Sequence, residues 1–589
     1  MCGISGELRL DSQPASVATI ATMLTQLARR GPDDQGEWQQ GPVAFGHRRL
    51  SIIDLSSRSH QPMHDGALSL VFNGAIYNYR ALRSVLQGKG HSFVTEGDTE
   101  VILKAYREWG TDCPRHLDGM FAFALWDAEQ QHVFAARDRF GIKPFYYVHS
   151  ARFLRFASNT QALLAAGDLN TALDPVGLHF QYSLHAVIPA PHTVIQGIRK
   201  LEPAHSLTLT LDGKCHKQRY WTLDARRVAP VKTEQAWVDA TRDALLEAVR
   251  KRYKVADVPV GVLLSGGLDS SLLVALLAEL GIEHIPTYSI GFDDQPEEKG
   301  NEFEFSDQIV DRYQTDHHKI VIPNDQVLHR LPEAIDAMAE PMFGQDAVAF
   351  YLLSEQVSKY SKVVQSGQGA DEVFGGYFWY PRMQAETSGS RLARFRKHYF
   401  DRDHAEMLRM LNPAYHGEDY TGHYIAQQLD DAYSDDFMDA VLKLDATTLI
   451  VDDPVKRVDN MTMAWGLEAR VPFLDHRLVE IAARCPTSIK LASGGKYLLK
   501  QVARGLIPDA VIDRPKGYFP MPALKYVRGE FLTYMRDLLN SQVCRERGLF
   551  NRDYLNQLLD APDMHHTRIM GSKLWHLALL EHWLQRRSL

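Results

Sequence analysis

With 589 residues the chain exceeds the size at which one hydrophobic core stops growing, so at least two domains are expected. Its 45% apolar and 23% charged residues are those of a folded globular chain and exclude disorder and fibre. The balance of 65 Lys+Arg against 73 Asp+Glu, net −8, offers no broad basic face for nucleic acid.

The longest apolar run, SLLVALLAELGI, is interrupted by Glu279 and falls short of the roughly 20 residues that span a bilayer. No basic region followed by an apolar core opens the chain, so no signal peptide and no membrane partner are expected, and the cytoplasm is the default. Cys2, Cys113, Cys215, Cys485 and Cys544 are odd in number and lack metal-like spacing, which argues against disulfides and zinc. The last four read as small buried hydrophobes.

In chain order, MCGISGE places a cysteine directly behind the initiator methionine. Removal of Met1 would give Cys2 a thiol and a free α-amino group on one residue. VATIATMLTQLARRGPDDQG begins as a helix with Val17, Ile20, Met23, Leu24 and Leu27 on one face and stops at Gly31-Pro32. The runs VAFGHRRLSIID, LSLVFNGAIYNY, FAFALWDAEQQHVFAARD and FYYVHSARFLRFAS predict stacked sheets. After RYWTLD, the stretch DARRVAPVKTEQ reads as a linker into an amphipathic helix carrying Trp237, Ala244, Leu245, Ala248 and Val249, which sets the domains at 2–222 and 223–589. VPVGVLLSGGLDSSLLVALLAELGI, HIPTYSIGFD and KVVQSGQGADEVFGGY then alternate strand and helix, as a parallel α/β sheet does, and from about Leu392 the pattern is mostly helical.

A thiol attacks carbonyls as its thiolate, and a free cysteine has a pKa of about 8.5. An α-amino group at about 7.7–8.0 can serve as its general base without a histidine. FNGAIYNY supplies the Asn73 side chain and the Gly74 N–H as oxyanion donors. Arg49 suits a carboxylate and Asp98 an ammonium, so an α-amino acid could be held by its head with its side-chain carbonyl offered to Cys2. MCGISGE, RRGPDDQG, GHRRLSIIDLS, QPM, FNGAIYNYRALR, EGDTEVILKAY, LDGMFAFALWD and ARDRFGIKPFYY, spanning Met1 to about Ser158, together resemble the glutaminase domain of class II glutamine amidotransferases.

That resemblance implies an Ntn-type αββα sandwich that hydrolyses glutamine to glutamate and ammonia. It makes Cys2 the nucleophile, Asn73 and Gly74 the oxyanion hole, and Arg49, Ile53, Asn73 and Asp98 the glutamine ligands. The family often has NGEIYN where this chain has Ala75, so Asp98 carries more of the ammonium recognition.

Ammonia needs an acceptor site nearby. SGGLDSS follows an apolar run and opens a helix, a context in which backbone N–H groups hold phosphate, and it matches neither GxxxxGK[ST] nor GxGxxG. It resembles the pyrophosphate loop of N-type ATP pyrophosphatases, of the adenine nucleotide alpha hydrolase-like α/β fold with helical additions. The resemblance makes Ser265, Gly266, Gly267, Asp269 and Ser270 pyrophosphate ligands, Leu263, Ile290, Ser366 and Gly367 the AMP pocket, and Asp269 and Asp371 the Mg²⁺-facing pair. Lys496 of GGKYLLKQVA is carried over as the catalytic lysine and Lys516 of DRPKGYFPMP as its support.

With VKRVDNMTMAWGLEARVPFLDHRLVE, most of the chain is similar to the asparagine synthetase family, which implies that glutamine, MgATP and a carboxylic acid yield an amide, glutamate, AMP and pyrophosphate through an acyl-adenylate. Amidophosphoribosyl and hexosamine-phosphate synthesis would join the glutaminase to sugar-phosphate domains. A tRNA thiolase would carry a basic surface or paired cysteines, and a non-catalytic homologue would have lost Cys2, Asp269 or Lys496. Gln368 stands where many members have an acid that assists ammonia attack, and an amide cannot take that proton. Two acceptors stay open: aspartate, the family default, and N-acetylglutaminylglutamine, whose subfamily is resembled locally by QYSLHAVIPAPHTVIQGIRKLEPAH and VFGGYFWYP. The expected partners are small molecules, and a homodimer is one assembly the chain allows. His47 and His205 read as structural.

Overall fold

The computed structural model describes residues 2–227, 232–294, 300–514 and 527–589. Lys516 lies outside the described residues. The mixed α/β architecture expected from the sequence is what is found.

The amino-terminal part is an αββα sandwich of two six-stranded sheets. The first runs Arg199–Lys200, Tyr146–His149, Phe153–Ala157, Gly3–Arg9, Val43–Arg49, Asp34–Gln40; the second runs Cys215–Arg219, His205–Thr210, His132–Arg137, Gly119–Asp127, Leu68–Ile76, Met63–Asp65. All their pairings are antiparallel. The two-residue alternation of strands sends Ile4, Leu8, Val43, Phe45 and Phe156 inward from one sheet against Val71, Ala122, Ala124, Trp126, Val133 and Ala135 from the other. Opposite faces pack on helices: Ala44 joins Ile20, Met23, Leu24 and Leu27 of Val17–Leu27, while Phe72 joins Leu82 and Leu86 of Tyr79–Gly88 and Val101 of Thr99–Trp109. Ser16 caps the first helix through Thr19 N, 3.1 Å away.

The remainder is built on a five-stranded parallel sheet in the order Asp316–Ile322, Pro286–Phe292, Val260–Leu263, Val363–Gln365, Glu468–Arg470. From Val260–Leu263 the next two strands are laid to one side and the last two to the other. That reversal opens a crevice at the carboxyl ends of Val260–Leu263 and Val363–Gln365, where ligands of open α/β sheets bind.

The stretch read as mostly helical is so, and within it the strand Glu468–Arg470 completes the parallel sheet. Two expectations need correction. Val17 is 48% exposed and lies at the rim of its helix's buried face. Cys215 is exposed on the outer strand of the second sheet, where only one edge is paired. Among the described residues no helix is long and apolar enough to cross a membrane.

Candidate active sites

Cys2 precedes a central strand of the first sheet, and its backbone N donates to Asn73 Oδ1 at 3.0 Å. Asn73 comes from a central strand of the second sheet and is fully buried, so the sandwich itself sets the pair. Asn73 Nδ2 is buried and has no hydrogen-bond partner among the described residues. An unsatisfied buried donor costs about 1–3 kcal/mol, a penalty that a ligand oxygen would remove. Beside it, a Cβ at Gly74 would stand 2.1 Å from the Met120 carbonyl oxygen, so the close strand approach demands glycine. Burial pushes the Cys2 thiol above its ordinary range, against an opposing pull from an amino-terminal ammonium, the Leu50 backbone and Arg49.

The glutamine-ligand candidates surround this corner. Asp98 precedes the helix Thr99–Trp109, its Oδ2 accepts from Ile76 N at 2.9 Å, and burial pushes its carboxyl up to about 6 against that bond. Ala75 is fully buried and contributes no carboxylate. Arg49 donates to the backbone carbonyls of Ser56, at 3.0 Å, and Asp54, so its guanidinium also shapes the loop that carries half-buried Ile53. Asp54 braces the same loop: despite burial its carboxyl is pulled down to about 2 by Ser56, Ser59 and the Glu96 N–H. His47 is structural, with Nε2 3.2 Å from the Phe72 carbonyl and its pKa pushed down to about 3 by burial. His205 is likewise turned to a local backbone oxygen, that of Pro203.

Two residues absent from the sequence reading enter here. Arg30 donates Nε to the Cys2 carbonyl oxygen at 3.2 Å. Glu468, from the last strand of the parallel sheet, is 1% exposed and accepts from Arg470 Nε at 2.6 Å. Burial would raise its carboxyl, but an amino-terminal ammonium, Arg470 and Lys143 hold it down at about 2. Its charge in turn raises both Cys2 and Asp98, so the carboxyl-terminal half contributes to the field at the thiol.

The second cluster fills the crevice of the parallel sheet. The chain leaves Val260–Leu263 through Ser265 and Gly266 into the helix Leu268–Glu279, with Gly267 as its cap residue. Gly266 has φ +74°, and a Cβ there would meet Ser306 N at 2.7 Å, so the turn requires glycine. Ser270 Oγ accepts from Ser265 N at 3.2 Å, and Ser265 Oγ accepts from Gly267 N at 3.3 Å, which closes the loop over the helix start. Leu263 is buried at the strand end, Ile290 sits half-buried on the neighbouring strand, and Ser366 and Gly367 follow Val363–Gln365. A Cβ on Gly367 would lie 3.0 Å from Asp269 Cβ, so the two glycine loops touch.

Lys496 ties them together. Its Nζ lies 2.6 Å from Asp269 Oδ2 and 2.7 Å from Asp371 Oδ1. Burial alone would lower its pKa, but the two carboxylates hold it protonated, well above the usual lysine range. Gly376 makes room, because a Cβ there would stand 2.1 Å from Asp371 Oδ1 and 2.3 Å from Lys496 Cε. Gln368 is half-buried with its Oε1 buried and without a partner among the described residues. Glu372 is buried and accepts from the Tyr377 hydroxyl at 2.6 Å. Arg514, unforeseen from the sequence, brings Nη2 within 3.6 Å of a Cβ position on Gly267 while paired to Glu302 at 2.9 Å.

Residues 1–221 match the family model described as a glutamine amidotransferase domain, and residues 240–585 match that described as asparagine synthase. The chain is 31% identical to asparagine synthetase [glutamine-hydrolyzing] 3 of Bacillus subtilis (strain 168), over 95% of this chain and 93% of that protein. It is 30% identical to a putative asparagine synthetase [glutamine-hydrolyzing] of Mycobacterium bovis (strain ATCC BAA-935 / AF2122/97), over 99% and 98%. Among solved structures, the glutamine phosphoribosylpyrophosphate amidotransferase from B. subtilis aligns with 49% of this chain and 65% of its own, at 17% identity and a TM-score of 0.29.

Proposed function

Because the chain belongs to the glutamine-hydrolysing asparagine synthetase family and so makes amides with glutamine as nitrogen donor, we propose that Cys2 releases the ammonia and that the Asp269–Lys496–Asp371 cluster activates the acceptor as an acyl-adenylate. The proposed division is 2–222 for hydrolysis and 223–589 for synthesis.

In the first half-reaction the Cys2 thiol passes its proton to the mature α-amino group and attacks the side-chain amide carbon of glutamine. The oxyanion is met by Asn73 Nδ2 and the Gly74 N–H, ammonia leaves, and water hydrolyses the thioester to glutamate. The unpartnered buried Asn73 amide supports this assignment, since the reaction supplies the acceptor it lacks at rest. Asp98 and Arg49 hold the ammonium and carboxylate of glutamine, with Ile53 against its stem.

In the second, a carboxylate oxygen of the acceptor attacks the α-phosphorus of ATP and pyrophosphate departs. Ammonia then attacks the acyl carbon and AMP leaves. Ser265, Gly266, Gly267, Asp269 and Ser270 bind the departing pyrophosphate, Leu263, Ile290, Ser366 and Gly367 hold the AMP portion, and Lys496 neutralises charge that develops between them, with Lys516 as its support. Asp269 and Asp371 are hard oxygen donors beside a phosphate loop and fit Mg²⁺, which when bound supplies charge neutralisation on the phosphates. Gln368 orients a ligand by hydrogen bonding and takes no proton.

The observation that carries the reading is the meeting of Asp269, Asp371 and Lys496 at the junction of the two glycine loops. We assign aspartate as the acceptor, the amino acid implied by the names of the relatives. Incubation with MgATP, glutamine and either aspartate or N-acetylglutaminylglutamine should give AMP with aspartate; AMP with the dipeptide alone would reassign the acceptor and leave the chemistry intact.

A pH effect follows from Asp98. A carboxyl at about 6 is neutral below that pH and cannot attract an ammonium, so kcat/KM for glutamine should fall as pH drops through about 6. Because the α-amino base at about 7.7–8.0 already gives a fall toward acid, Asp98 should show as an added steepening below about 6. Asp98→Asn should be low at all pH values and lack that steepening, and the same steepening in the variant would reassign it to another group.

A further inference from the structure

Across the boundary between the two halves, the helix Lys456–Met463 presents a buried carboxylate to the glutaminase side. Asp459, 4% exposed, accepts from Arg30 Nη1 at 2.9 Å and Nη2 at 3.3 Å, and lies 3.4 Å from Lys143 Nζ. Arg30 is 6% exposed and Lys143 1%, so this carboxylate compensates two buried cations, a task it shares at Lys143 with Glu468 and Asp138. The two-pronged pair fixes the plane of the guanidinium, and the remaining edge, Nε, is the one that donates to the Cys2 carbonyl.

The helix that carries Asp459 is itself pinned. Asn460 Oδ1 accepts from Ala339 N at 2.7 Å, and Lys456 Nζ pairs with Glu340 Oε2 at 3.4 Å. Asp459 is therefore a fixed point, whereas Cys2 stands at the end of the chain, where backbone is otherwise poorly restrained. Two polar anchors hold its backbone in place: Asn73 on the N–H and Arg30 on the carbonyl. Misplacement of a reacting atom by about 1 Å costs on the order of 10²-fold in rate.

We propose that Asp459 is a positioning residue for glutamine hydrolysis, acting through Arg30 to fix the Cys2 backbone and thereby the direction of its thiol. The proposal rests on Cys2 as the nucleophile. It makes the acceptor-activating half of the molecule a structural part of the glutaminase site, so the glutaminase half alone would carry a loosely held thiol.

A double-mutant cycle on the full-length protein tests it. Asp459→Asn and Arg30→Gln should each lower kcat for glutamine hydrolysis by about 10- to 100-fold with KM for glutamine little changed, while ammonia-driven AMP formation stays within about two-fold. Combined, they should be no worse than Arg30→Gln alone. Unchanged hydrolysis in Asp459→Asn, losses that multiply in the double variant, or equal loss of both activities would overturn the proposal. Should Asp459→Asn alone fail to fold, Arg30→Gln against the double variant, which removes both charges, gives the same comparison. Cys2→Ala is run alongside: residual hydrolysis there would overturn the nucleophile assignment, whereas its loss with normal Asp459→Asn would overturn only the positioning role.

Discussion

Lys496→Met should abolish acceptor-dependent pyrophosphate release, lowering it by about 10²–10³-fold or more, and leave glutamine hydrolysis within a few-fold of the parent. The size follows from position. A single ammonium touches both Asp269 and Asp371 at hydrogen-bond distance, beside the loop that would hold the departing pyrophosphate. The two carboxylates keep it charged, so it is always ready to meet negative charge as the phosphorus–oxygen bond breaks. Methionine preserves the length of the stem and removes only the charge. It also leaves Asp269 and Asp371 without the ammonium that competes for them, so any residual activity should reach saturation at lower Mg²⁺, measured as AMP formed against Mg²⁺ concentration. Undiminished pyrophosphate release in Lys496→Met would move the catalytic charge to another group, and equal loss of glutamine hydrolysis would deny that the two sites are chemically separate.

Cys2→Ala should eliminate glutamine use, a fall on the order of 10⁶-fold that in practice reads as none, because loss of a nucleophile removes the covalent path itself. Ammonia-driven amide formation should survive. The two clusters draw on separate residues: Cys2 and Asn73 meet where the two antiparallel sheets face each other, and the lysine clamp comes from the helices Leu268–Glu279 and Ala370–Phe374 and from Lys496 at the start of Tyr497–Ala503. An intact-mass measurement belongs to the same experiment, since the α-amino base exists only once Met1 is removed. Burial holds the thiol protonated at rest, which suits a proton transfer made at the moment of attack.

The parts of this molecule that depend on local chemistry were legible in the sequence. Cys2, the FNGA strand and the SGGLDS turn each announce themselves within a few residues, and the structure brings Asn73 to Cys2 and Lys496 to Asp269 and Asp371. The stacked sheets and the parallel sheet also followed from alternation and from strand–helix rhythm, while the αββα layering was implied by the resemblance to the glutaminase domain. What escaped depended on partners far apart in the chain. Glu468–Arg470 is only three residues long, too short for a period to show, and is a strand because it completes the sheet beside Val363–Gln365. Arg30 and Asp459 pair across 429 positions, and nothing near either one marks it as part of a thiol site. Arg49 carried a clear sign for carboxylate binding, yet it also holds the loop that bears Ile53, a second duty visible only in three dimensions. Cys215 gave no hint of exposure because the outer position of its strand is a property of sheet order.

Glutamine labelled with ¹⁵N in its side-chain amide, supplied with MgATP and aspartate in the presence of excess unlabelled ammonium at a pH near neutrality, follows the nitrogen itself. The product amide should be enriched in ¹⁵N well beyond the isotopic mixture in solution, with one AMP formed per amide. A product carrying only solution nitrogen, or amide formed without AMP, would contradict the transfer from a cysteine-borne glutaminase to an adenylated acid.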